Sequence, residues 1–130
     1  MGTKVLMITS AFFMAVLGIA ATFMPREILS YFNARPDWFS LAAVQTAGAL
    51  YLGFAILNWT ARRNIIGGIY SKPISLGNFL HFVAAGLSLL KKMTTGGTGI
   101  IFIIITILYL IFAVWFGLVT FTHPAKASAG

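Results

Sequence analysis

Apolar positions run in four long blocks, residues 5–24, 41–59, 73–90 and 99–121, parted by short stretches that hold nearly all the charge. A membrane-spanning helix needs roughly 20 apolar residues, with about 17 as the lower limit. All four blocks reach that length, the third only just. In lipid every backbone amide must bond within its own segment, so helices are the default. The alternation of about ten residues that marks a membrane β-barrel is absent. The pattern predicts an all-α fold: an integral membrane four-helix bundle forming a single domain over residues 1–130.

The connections differ in character. The first, "PREILSYFNARPDWFS", predicts a short interfacial helix between spans one and two. Pro25 suits a first helical turn, Glu27 lies where the helix dipole favours an anion, and Ile28, Leu29 and Phe32 share a side. That helix should end near Asn33, with Trp38 and Phe39 following at headgroup depth. The third connection, "KKMTTGGTG", reads as a tight turn that makes spans three and four an antiparallel hairpin. The first block is longer than the apolar core of about 7–15 residues expected of a secretory signal, so it is read as a retained helix. Leu6 stands where an N-myristoylation pattern needs Ser or Thr, which implies no lipid anchor.

Helical spacing then assigns faces. In the third span Gly77, Asn78, His81, Ala84, Ala85 and Ser88 fall within an arc of roughly 120°, opposite Leu76, Phe79, Val83, Leu87 and Leu90. Small and polar residues face protein in a membrane, so this arc should turn inward. Narrower small-residue stripes are Ala11, Ala15, Gly18 and Thr22 in the first span and Thr106, Ala113, Gly117 and Thr120 in the fourth. In the second span Ala43, Ala47, Gly48, Ala49 and Gly53 permit close approach. The fourth span, with "IIFIIITILYLIF", should meet the most lipid.

Composition agrees with a membrane solvent. Of the 130 residues 59% are hydrophobic and 8% charged, whereas a soluble domain carries about 25% charged residues. The net charge of +7 comes from lysines and arginines that flank the apolar blocks. Anionic headgroups are the simpler partner for them, and no basic stripe with stacking aromatics calls for nucleic acid. Charges on alternate connections number five (Lys4, Arg62, Arg63, Lys72, Lys126) against four (Arg26, Arg35, Lys91, Lys92). The positive-inside rule turns that small excess into an expectation of both termini in the cytoplasm, with dual topology left open.

The chain has no cysteine, which removes disulfides, thiolate metal sites and Cys-x-x-Cys redox chemistry. No carboxylate lies inside a span, so paired-acid catalysis has no members. No histidine spacing fits a metal, and no Ser or Thr has a base-and-acid partnership. The expectation is a protein that is not an enzyme and holds no metal or cofactor.

The chemistry that remains gathers in "NWTARRNIIGGIYSKPISLGNFLHF", residues 58–82. The second span ends and the third begins on one side of the membrane. Asn58, Arg62, Arg63, Lys72, Asn78 and His81 are therefore candidate lipid- or ligand-binding residues, a cationic mouth above a polar pocket. Two readings stand beside each other. The arginines and Lys72 either anchor helices by snorkelling or grip an anionic headgroup through guanidinium forks. His81, roughly 10 Å inside the interface, either makes a packed interhelical bond, to Gln45 or a backbone carbonyl, or serves a quinone, lipid carbonyl or proton.

"GIAATFMPREIL", "AGALYLGFAILNW" and "SKPISLGNFLHF" together resemble the DoxX-like group of small four-helix bacterial membrane proteins. The resemblance implies a multi-pass protein of the bacterial inner membrane. It carries a hint of association with quinone-reducing complexes but no catalytic residues.

The resulting expectation is a non-enzymatic assembly or accessory subunit that packs with itself or with larger membrane partners and binds anionic lipid. Its alternatives are a quinone- or lipid-binding subunit of a membrane redox complex and a small dual-topology channel or transporter.

Overall fold

The structure is a computed structural model and describes residues 2–64, 66, 68–96 and 99–122. The described residues are all-α. Helices α1 (Gly2–Phe23), α2 (Pro25–Tyr31), α3 (Trp38–Thr60), α4 (Lys72–Thr94) and α5 (Ile100–Phe121) follow in order, with a 3-10 turn at Ala61–Arg63 after α3. α1, α4, α5 and α3 with its 3-10 turn are each long and apolar enough to cross a membrane. These four correspond to the four apolar blocks: α3 and α4 run past theirs at both ends, α1 starts three residues earlier and ends one earlier, and α5 starts one later. The C-terminal tail, including His123 and Lys126, lies outside the described residues, as do Gly67 and the Gly97–Thr98 part of the last connection.

Local chemistry sets the boundaries. Pro25 opens α2 with Glu27 in its first turn. Asn33 then adopts φ 57°, the left-handed region that a short polar side chain tolerates. Its N–H bonds Ser30 O at 3.0 Å, and Ala34 N–H bonds Leu29 O at 2.8 Å. This nested pair is a Schellman closure, so the interfacial helix ends where Asn33 predicted. At the start of α3, Asp37 accepts the Ser40 N–H at 2.7 Å while its carbonyl accepts Leu41 N–H at 2.9 Å. That is an N-cap bond to the third helical residue. It holds the Asp37 carboxyl below its ordinary value of 3.8. At the other end, Thr60 Oγ1 donates to Ile56 O at 2.9 Å, closing the last turn of α3.

The chain forms two compact units. One is Met7–Thr60 and contains most of α1 with α2 and α3. Here α1 and α3 approach through two glycines. A methyl group placed on Gly48 would lie 2.5 Å from Thr22 Oγ1 and 2.8 Å from Thr22 N, and one on Gly18 would lie 2.8 Å from Leu52 Cγ. Gln45 reaches across to Thr22 O at 3.4 Å. Gly53 is different: it is exposed and has open space around it. The expected role of Gly53 in close approach is therefore corrected. Gly48 lies five residues, or about 140°, away from it and is the residue α1 crosses. In α1 the buried stripe is Met7, Ser10, Ala11, Met14, Gly18 and Ala21. It keeps Ala11 and Gly18 of the expected stripe and adds the methionines and Ser10.

The other unit draws on Met1–Leu6 and Ala61–Gly130 and is built around the α4–α5 hairpin. Gly96 turns the chain after α4 with φ +83°, a conformation open to glycine at no steric cost. Contacts run antiparallel: Lys72 meets Thr120, Phe79 lies over Gly117, and Gly86 packs on Tyr109 and Leu110. Aromatic rings fill the seam. Phe82 lies 5.1 Å from the Tyr109 and Phe112 rings and stacks on Phe116 at 5.6 Å and 11°. Phe82 and Phe116 are completely buried.

The hairpin corrects the expected inward arc of α4. Its buried residues are Ser75, Asn78, Phe82 and Gly86, a stripe that keeps Asn78 but is rotated by roughly a quarter turn from the arc centred on His81. Ala84 and Ser88 are exposed. The four-residue stripe in α5 holds, with Thr106, Ala113 and Thr120 buried and Gly117 against Phe79. Tyr109, Phe112, Phe116 and Val119 join it, so α5 buries a larger share of its length than α3 or α4 and is not the most exposed of the four. Ile101 and Ile104 on its other side are exposed.

Candidate functional site

The polar candidates divide between the two units. Asn58 belongs to the first. It is fully buried, and its amide donates to Ser10 Oγ at 3.0 Å. Ser10 in turn donates to Met7 O at 3.2 Å. An asparagine near a span's end thereby serves as a bond between helices, the use expected of amide side chains in lipid.

The remaining candidates belong to the second unit. Arg62 and Arg63 form the 3-10 turn after α3, Arg62 half-buried and Arg63 exposed. Lys72 is the first residue of α4, one ahead of Pro73, with Ser71 as N-cap. Its Nζ donates to Thr120 O at 2.6 Å and stands 5.9 Å from the Phe121 ring centroid. A cation at a helix C-terminus satisfies carbonyls that have no partner within the helix and complements the dipole. Lys72 thus ties the start of α4 to the end of α5.

Asn78 is fully buried, and its amide donates to Ile74 O, in its own helix, at 3.0 Å. His81 Nε2 lies 3.1 Å from Tyr109 Oη. The imidazole ring also sits 5.1 Å edge-on from Phe82. The two polar groups form one bond between α4 and α5, enclosed on one side by the Phe82 ring. His81 was expected to find Gln45 or a carbonyl. Tyr109, 1% exposed, is the partner that sequence reasoning missed. The signal available was its helical spacing from Thr106, Ala113 and Gly117, which puts it at the seam.

Lys72 and His81 are nine residues apart on α4, roughly 13 Å along its axis, and each is engaged with a different residue of α5. Two further hydroxyls are notable. Among the described residues, the buried Oγ1 atoms of Thr22 and Thr120 find no hydrogen-bond partner; that of Thr22 is the atom nearest the Gly48 crossing. Among the described residues there is no group of three or more His, Asp or Glu placed to hold a metal ion.

The sequence matches no family model, and neither the curated proteins nor the solved structures provide a match. Fold and local chemistry define the class as an integral membrane protein with four candidate spans.

Proposed function

We propose that this protein is a non-enzymatic multi-pass subunit of a bacterial inner membrane that assembles with itself or with larger membrane partners and binds anionic lipid. The observation that carries the lipid reading is the position of Arg62 and Arg63. They occupy a turn directly after a membrane-length helix, and Lys72 opens the next one. Cations at that depth meet headgroup phosphates, and arginine forks hold them with charge-assisted bonds worth roughly 1.5–3 kcal/mol each where partly dehydrated. Both termini then face the cytoplasm, where the anionic leaflet attracts basic connections. Removing both arginines and weighing the lipid that stays bound to the purified protein tests this reading.

A second reading rests on the His81–Tyr109 pair. An imidazole and a phenol bonded within a span are the groups that a quinone carbonyl or a proton would use. A quinone- or lipid-binding subunit of a membrane redox complex is the function that fits them, in line with the DoxX-like resemblance. A quinone absorbance that copurifies with wild type and is lost in Tyr109→Phe would favour this reading. Its absence from wild-type preparations extracted in mild detergent would remove it.

A further inference from the structure

We propose that the turn at residues 68–71, with Ile69 and Tyr70 at its tip, is an insertion loop that dips into the anionic leaflet of the protein's own membrane. Ser71 N–H bonds Gly68 O at 3.1 Å, closing a four-residue turn whose two central residues are Ile69 and Tyr70. In water these positions favour Gly, Pro, Asn, Asp and Ser. Here they carry a branched aliphatic and an aromatic side chain, 82% and 97% exposed. No other large apolar side chains among the described residues are more exposed.

The surroundings select the partner. Arg63 and Lys72, both exposed, bracket the turn in sequence, and Phe121, 62% exposed, lies beside the Lys72 ammonium. An apolar tip flanked in sequence by the exposed cations Arg63 and Lys72 is complementary to a surface that is negative outside and apolar just beneath. That surface is the headgroup–acyl boundary of an anionic leaflet, where Tyr is enriched and Lys and Arg snorkel. A protein partner would instead need acidic groups opposite the cations. The inference rests on the lipid reading above and extends it, from a headgroup held by Arg62 and Arg63 to a loop that reads the whole leaflet.

The absence of cysteine makes the test direct. Ile69→Cys and Tyr70→Cys, each made singly, change only exposed side chains and leave the helices untouched. Each is reconstituted into vesicles of phosphatidylglycerol mixed with phosphatidylcholine, or of phosphatidylcholine alone, and reacted with a membrane-impermeant maleimide. Thr95→Cys, in the exposed turn after α4, serves as control, with lysed vesicles exposing both sides. The expected result is labelling at 69 and 70 several-fold slower than at 95 in phosphatidylglycerol vesicles, with the difference reduced in phosphatidylcholine alone. Labelling as fast as at 95 in both vesicles would overturn the proposal. So would protection that is the same in both, which indicates burial against another protein chain. Retained lipid in the arginine variants is a separate readout, so failure of the loop proposal and failure of the headgroup reading remain distinguishable.

Discussion

His81 Nε2 and Tyr109 Oη face each other at 3.1 Å across the α4–α5 seam. Within a span there is little water to replace either partner. Tyr109→Phe keeps the ring against Phe82 and removes only the hydroxyl. The expected loss is about 0.6–2 kcal/mol in unfolding from detergent micelles, since interhelical bonds in membranes are worth less than isolated energies imply. A double-mutant cycle with His81→Phe should show coupling of similar size. Independent, additive losses would mean that the bond contributes nothing to the fold.

The two kinds of glycine in α3 give a sharper contrast. Gly48→Ala places a methyl against the backbone N and hydroxyl of Thr22, so α1 and α3 must separate. The cost should be about 1–3 kcal/mol of overpacking. Gly53→Ala, with open space around it, should leave thermal stability at or slightly above wild type because alanine favours helix. Equal stability of the two variants would contradict the assigned crossing.

Asp37 supplies a pH dependence whose sign is fixed. Its carboxyl is held below the ordinary value of 3.8, chiefly by the Ser40 N–H. The folded state therefore binds its proton less readily than the unfolded state, and the cap contributes fully above that value. The contribution disappears as pH falls through the lower, folded value. Unfolding measured from neutral to strongly acid pH should show wild type losing this increment in acid. Asp37→Asn, which can still cap, should lack that acid-dependent loss. An identical acid profile in the two proteins would remove Asp37 as the cap.

On α5, exposure separates lipid-facing from buried positions. Ile101→Leu and Ile104→Leu replace one exposed aliphatic by another and should change stability by less than about 0.5 kcal/mol. Phe116→Ala removes a fully buried ring stacked on Phe82. Its cost should be about 1–3 kcal/mol, below the soluble-protein range because the apolar transfer contribution is small when the alternative environment is lipid. Equal melting temperatures for these three variants would refute the placement of the seam.

The same physics explains what the sequence could reveal. Long apolar blocks and the scarcity of charge fix four candidate spans, because backbone satisfaction in lipid leaves few alternatives. Pro25, Asn33 and Pro73 mark helix ends through backbone preferences that need no tertiary context. The rotation of α4 was harder to read. Inward and outward apolar side chains look alike when the solvent is itself apolar, so the rule of small and polar residues inward favoured Ala84 and Ser88 over Phe82. For the same reason the aromatic seam of Phe82, Tyr109, Phe112 and Phe116 left little trace in periodicity. Among the candidate site residues, the local engagements of Lys72 with Thr120 and Asn58 with Ser10 depend on pairings 48 residues apart in each case. A single sequence does not display such pairings.

The central claim is that the Arg62–Arg63 turn holds anionic lipid, and native mass spectrometry tests it most directly. Wild type, the Arg62→Ala/Arg63→Ala variant and a Lys91→Ala/Lys92→Ala variant are extracted from the same membranes in mild detergent and weighed with whatever lipid remains bound. Each variant loses two cations, so overall charge is matched. The account predicts that the arginine variant retains markedly less anionic phospholipid while the lysine variant keeps the wild-type profile. Identical bound-lipid profiles in all three proteins would contradict it and leave Arg62 and Arg63 as helix anchors.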